Sequence, residues 1–204
     1  MNSRSIQNDL LNYTLNNSNH DTKRNYISMS HIHLPVDNLI DIYKKGFETS
    51  PEIKLKCYKG YQMERDILIR LKKIYGDKIK TDIEYHSGFV KGHPDFEIEN
   101  IPGDCKSVLM DEWLPTNHIP KKVYWQMQGY LYLSKKLKGF LIYESRETGI
   151  IKVLEVFKND HIQNQIEQKI NEISKILSDL SLQLLGAEKP EAIQLQESEI
   201  TYSC

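Results

Sequence analysis

Hydrophobic positions follow two periods along this chain, and the change from one to the other sets out its elements. Residues 1–27 are polar, rich in Asn and Ser and without a sustained period, which predicts a loosely ordered arm with at most a weak helix near Leu10 to Leu15. From Pro35, Val36, Leu39, Ile40, Tyr43 and Phe47 recur on one helical stripe, with the proline where a first turn tolerates it. A Thr49-Ser50-Pro51 break follows. A second helix is expected over residues 60–75, where Ile67, Leu68, Leu71, Ile74 and Tyr75 repeat at helical spacing and Gly76 ends the run.

Alternation then replaces the helical period. Ile79, Thr81, Ile83 and Tyr85 predict one strand over residues 78–87, and Gly88 turns the chain into the next. Phe96, Ile98, Ile101, Val108 and Leu109 make the following stretch largely apolar, and Glu99-Asn100 is read as the turn of a hairpin. A hairpin symmetric about that turn puts Asp95 opposite Asp104. Side chains alternate along a strand, so Lys106 shares the face of Asp104 while Cys105 points the other way.

Residues 110–120 show no period and carry Trp113, Pro115, His118 and Pro120. A helix is predicted from Lys121 to about Leu137, then two strands over 140–144 and 150–157. A strand entered from a helix implies a parallel-type crossover and a mixed sheet. The last helix spans about 160–185. There Ile166, Ile173 and Leu180 repeat every seven residues, as do Ile170, Leu177 and Leu184. That seam is expected to dock on its own domain, with pairing to a second copy as the alternative. Beyond Gly186 the tail is polar, contains Pro190 and is expected to hold little order. The expected fold is α/β, one domain over residues 28–185, with a mixed central sheet flanked by helices.

Composition narrows the function. The chain has 204 residues and a net charge of −1, so a nucleic-acid partner has to be met by a local basic surface. No apolar run approaches the roughly 20 residues that span a bilayer, and no signal-peptide core opens the chain. Cys57, Cys105 and Cys204 are too far apart for a disulfide framework, a zinc site or an iron–sulfur site, so a reduced, cytoplasmic setting is the default. No phosphate-cradling glycine loop of the motor type occurs.

The candidate chemistry lies around the hairpin. Asp95, Asp104 and Lys106 converging within apolar strands suit a divalent cation with hard oxygen ligands, such as Mg²⁺, with an amine beside it. Buried charges of this kind have to be paired or bound to metal. Glu64 lies three, four and seven residues before Ile67, Leu68 and Leu71, so it falls in a core-facing stripe, where a carboxylate needs a partner. Gly60, one turn earlier, would allow a close approach of that helix. On the 121–137 helix, Gln126 with Tyr130 and Gln128 with Tyr132 are each one turn apart, and either pair could border a metal cluster. Trp113 and His118 could stack on a base or touch a phosphate. His31 and His33 lack a third ligand nearby and do not by themselves mark a metal site.

In this order, Glu64, Pro94-Asp95, Asp104-x-Lys106 and Gln126-x-x-x-Tyr130 resemble the PD-(D/E)XK nuclease superfamily, and most nearly its RecB-like and lambda-exonuclease-like branch. The resemblance covers about residues 60–157 and implies a core order α-β-β-β-α-β. It implies that Glu64, Asp95, Asp104 and the backbone carbonyl of Cys105 bind Mg²⁺ or Mn²⁺, that Lys106 assists the attacking water, and that Gln126 and Tyr130 border the site. Asp104 stands where Glu is common, and the cysteines of the iron–sulfur members are missing, so no such cluster is expected. The function implied is metal-dependent DNA hydrolysis, foremost by an exonuclease of repair, recombination or phage DNA processing, cellular or phage-encoded. An endonuclease or a non-catalytic DNA-binding protein of the same fold is the alternative. Lys91, His93, Trp113, His118, Lys121 and Lys122 are the expected nucleic-acid contacts. The expected partners are DNA, a homo-oligomer formed through the last helix, and a recombination or helicase protein.

Overall fold

The computed structural model describes residues 25–46, 51–115 and 118–184. The region before residue 25, Phe47, the Thr49-Ser50 break and the tail from 186 lie outside the described residues, as does the side chain of Trp113. The described residues begin with β1 (Ile27–Ser28), a 3-10 turn and α1 (Val36–Lys45), which opens after Pro35. Next come α2 (Pro51–Tyr75), β2 (Ile79–Lys80), β3 (Tyr85–Ser87) and β4 (Val90–Gly92). The hairpin is β5 (Phe96–Ile98) with β6 (Ile101–Val108); α3 (Lys121–Ser134), β7 (Lys138–Ser145), β8 (Ile151–Phe157) and α4 (Asp160–Leu184) complete the order.

Five strands form the central sheet in the order β2-β5-β6-β7-β8. β6 and β7 run parallel, joined through α3, and the other pairs are antiparallel, so the sheet is mixed as expected. Counting α2, β2, β5, β6, α3 and β7 gives the order α-β-β-β-α-β. β4 pairs with β3 and, in parallel, with β1 in a small second sheet.

The hairpin has the predicted register. Phe96 pairs with Gly103 and Ile98 with Ile101, while Glu99 and Asn100 have φ of 53° and 63°. Two positive-φ residues give a two-residue turn whose twist matches that of the strands it joins. One close approach fixes this pair: a Cβ on Gly103 would overlap the ring of Phe96, which is fully buried.

The core has two halves, one on each face of the sheet. On one face, Ile67 of α2 packs with Ile79, Phe96, Ile98, Cys105 and Ile142. On the other, Met127 and Tyr130 of α3 pack with Leu141, Leu39 of α1, and Ile166 and Ile173 of α4. Alternation along β7 feeds both halves, with Ile142 to one and Leu141 and Tyr143 to the other. Among the described residues no helix is long and apolar enough to cross a membrane.

Several expectations are corrected. The single strand over 78–87 is two short strands in different sheets, because Asp82 takes a left-handed φ of 57° between them and ends the ladder. α2 begins at Pro51, well before residue 60, and its last turn extends past the sheet, leaving Ile74 and Tyr75 exposed rather than in the core. Nothing lies within 4 Å of a Cβ built on Gly60, so the close approach expected there is missing. α3 stops at Ser134, where Lys135 adopts a left-handed cap with φ 58°. The expected docking of α4 on its own domain is present: Ile166, Ile170, Ile173 and Leu177 are buried against the body.

Candidate active site

β6 carries the centre of the site. Asp104 pairs in register with Leu141 and Lys106 with Tyr143, so both side chains leave the sheet on the face that α3 covers. Asp104 is 1% exposed, and its Oδ2 is in ionic contact with Lys106 Nζ. Cys105, one residue between them, points to the α2 side and packs with Ile67 and Ile142. Asp95 arrives from the loop between β4 and β5, where its Oδ2 accepts the backbone N–H of Cys105 at 2.6 Å. Glu64, half-buried on α2, feels the charges of both Asp104 and Lys106.

These charges press on one another. Burial, and next the Asp104 carboxylate, push Asp95 well above the usual carboxylate range, against the pull of Lys106. Burial and Asp104 raise Glu64 as well. Burial works to discharge Lys106, but Asp104 and Asp95 outweigh it and hold the amine more firmly protonated than a free lysine. The site is therefore a cluster of acids around a single ammonium. Unpaired carboxylates at this depth raise the energy of the fold unless cations accompany them.

α3 supplies the polar frame. Gln126 Nε2 donates to Asp104 Oδ1 at 3.1 Å and lies 2.6 Å from the Tyr130 hydroxyl, which donates to the carbonyl of His93 at 2.9 Å. The chain of bonds ties β6 to the loop that delivers Asp95. Gln126, bonded to Asp104 and Tyr130, is thus the glutamine that meets the acid cluster, rather than Gln128. Gln128 faces the opposite side, donating to Phe157 O at 2.7 Å and accepting from Asn159 N–H at 3.0 Å and Gln163 Nε2 at 2.9 Å. It fastens α3 to the start of α4.

The other residues fall around this centre. His93 is exposed, with its ring 3.6 Å from Glu84, and Lys91 pairs with Glu84 at 2.8 Å. Lys121 and Lys122 are exposed at the start of α3, and His118 is exposed just before them. A groove of about 450 Å³ leads away from Glu64 and Asp95, walled by Tyr61, Arg65, Leu68, Ile69 and Lys72 of α2. Tyr61, Arg65, Ile69 and Lys72 carry no mark in the sequence, because on a helix of mixed polarity their common face shows only once its neighbour across the groove is known.

The donor set fits a hard divalent cation: three carboxylates that repel one another, plus the Cys105 carbonyl on the strand between Asp104 and Lys106. Among the described residues no three His, Cys, Asp or Glu side chains are already drawn together as an ion would draw them. Lys106 Nζ contacts Asp104 Oδ2, and the Cys105 amide holds Asp95 Oδ2.

No protein-family model matches the chain, and no curated protein sequence does either. Solved structures share its architecture. The alkaline exonuclease LHK-Exo from Laribacter hongkongensis, in complex with dAMP, superposes with a TM-score of 0.58 at 14% identity, over 82% of this chain and 93% of that one. A second LHK-Exo structure gives 0.57 at 10% identity, over 81% and 96%. A phage related exonuclease from Haemophilus somnus 129PT gives 0.54 at 13% identity, over 78% and 96%. With so little shared sequence, the likeness is one of backbone architecture. The chain has the fold of these exonuclease structures.

Proposed function

We propose that this chain is a metal-dependent nuclease that hydrolyses DNA phosphodiester bonds, acting as an exonuclease. The observation that carries the reading is the convergence of Asp95, Asp104 and Glu64 on Lys106, framed by Gln126 and Tyr130, in a fold shared with exonuclease structures. One of those structures holds dAMP, which supports a deoxynucleotide strand as the substrate class.

Glu64, Asp95, Asp104 and the Cys105 carbonyl would hold Mg²⁺ or Mn²⁺. Such an ion supplies Lewis-acid stabilisation of the phosphate and acidifies a bound water. The chain's own groups do the rest. Lys106, protonated beside Asp104, donates to the attacking water or to a phosphate oxygen and orients it as charge builds. Gln126 fixes Asp104 through Oδ1 and leaves Oδ2 directed to the site. Tyr130, also pushed up by burial and by Asp104, stays a neutral hydroxyl and pins the His93 carbonyl. The Cys105 N–H orients Asp95.

The test is digestion of linear and circular DNA with Mg²⁺, Mn²⁺ or chelator, using wild type and Lys106→Ala, with melting temperature followed in parallel. Metal-dependent loss of linear DNA alone, reduced by a factor of 10² or more in Lys106→Ala, supports the reading. Cutting of circles moves the activity to an endonuclease. A wild type that melts at the same temperature with and without metal and cleaves no nucleic acid sinks it.

A further inference from the structure

Lys121 and Lys122 are the first two residues of α3, a turn with no acidic residue and no side-chain cap. Positive charge in that position opposes the helix field, which favours anions at its N-terminus. A third lysine comes from the middle of α4. Lys169 Nζ donates to the carbonyls of Ile32 at 3.0 Å and Leu34 at 2.7 Å and lies 4.8 Å from the centre of the Trp125 ring. Tethered in this way, its charge cannot swing out into solvent. Burial and then Lys121 push Lys169 down, and Glu172 opposes them without prevailing. His33 lies in the same field: burial, then Lys122, Lys169 and Lys121, push it down against a hydrogen bond with the Ser30 backbone.

Three lysines from two helices thus crowd one place, and among the described residues no ion pair neutralises any of them. A sequence that breaks several local electrostatic rules together, on an exposed surface, points to a partner that supplies the opposite charge. The placement identifies that partner. Lys122 precedes Gln126 by one turn on the same helical face, and Gln126 touches Asp104. The patch therefore starts about 6 Å along α3 from the residue that holds the central carboxylate. Successive phosphates of a DNA strand advance by about 3.4 Å along the duplex axis. A strand laid along α3 from the site would bring its next phosphates within reach of these lysines.

We propose that Lys121, Lys122 and Lys169 form a backbone clamp that holds the phosphates flanking the bond to be cut. Lys169 is its fixed point, and Lys121 and Lys122 are its mobile donors. The clamp rests on the nuclease reading for its ligand, and contacts of this kind set register along the strand without reading sequence.

The experiment is fluorescence anisotropy with a labelled DNA duplex in chelator, where nothing is cleaved, between about 50 and 200 mM salt. The variants are Lys121→Gln with Lys122→Gln, and Lys121→Arg with Lys122→Arg. Each lost phosphate contact flattens the slope of log affinity against log salt by about 0.9, so the glutamine pair flattens it by nearly two and the arginine pair restores it. Slopes that coincide for wild type and the glutamine pair, both folded by circular dichroism, overturn the clamp. Metal-dependent digestion of linear DNA by wild type, run alongside, separates the two ideas. An unchanged slope with intact digestion removes the clamp alone; a flattened slope with no digestion removes the nuclease and leaves a binding surface.

Discussion

Gln126 Nε2 lies 3.1 Å from Asp104 Oδ1, and this bond joins the middle of α3 to the middle of β6 inside the acidic cluster. Two residues further on, Gln128 is fully buried and bonds the start of α4 instead. The same side chain on the same helix therefore does two kinds of work.

Substituting the two glutamines separates those roles. Gln126→Ala releases Asp104 and Tyr130, and residues that orient a metal ligand are typically worth 10–100-fold in metal affinity or activity. The expected result is a Mg²⁺ dependence shifted to higher concentration by roughly that factor, with little change in melting temperature. Gln128→Ala leaves Asn159 N–H and Phe157 O without their partner, a loss of about 2–4 kcal/mol of stability, with the Mg²⁺ dependence unchanged. A metal titration of DNA cleavage and a urea melt of each variant read both outcomes; the same response from both variants would refute the division.

Gly103 predicts a coupling across the hairpin. Its missing side chain makes room for the Phe96 ring, and the two residues directly precede and follow the site acids Asp104 and Asp95 in the sequence. Gly103→Ala is expected to destabilise the fold by about 1–3 kcal/mol through overpacking. Combining it with Phe96→Leu should recover part of that loss, and a double-mutant cycle measures the recovery. Strict additivity of the two substitutions would show that the ring approach is not what requires glycine.

His33 gives a pH dependence whose sign follows from its surroundings. Burial and the charges of Lys122, Lys169 and Lys121 lower its pKa in the folded protein. The unfolded chain then binds a proton that the native state rejects, so this contribution to stability is fully present above the free imidazole value of about 6.5. It is lost as pH falls through that value towards the lowered one. Melting temperature should drop between pH 7.5 and pH 5.5, and His33→Gln should drop less over the same interval. Bound DNA, which brings negative charge to the patch, should reduce the difference between the two proteins.

What the sequence determined by itself is local. Alternation on both sides of Glu99-Asn100 and the left-handed preference of a short turn settle the pairing of Phe96 with Gly103, and with it the face shared by Asp104 and Lys106. Helical periods give α1, α3 and α4, because a stripe of apolar residues is visible in any window of a few turns. The break at Asp82 was not legible, since the residues around it alternate as a strand does and only the divergence of the two sheets requires a left-handed residue there. The exposure of Ile74 was hidden for a similar reason: periodicity gives a direction around the helix but not the length of sheet beneath it.

Tertiary structure alone decided which glutamine meets the acid cluster. Gln126 and Gln128 are separated by about 200° around α3, and each has a tyrosine one turn beyond, so nothing in the helix distinguishes them. The choice follows from packing α3 between β6 on one side and α4 on the other, which turns Gln126 to Asp104 and Gln128 to Gln163. Lys169 joins Lys121 by the same packing, across 48 residues of chain, and no pattern along the sequence records that meeting.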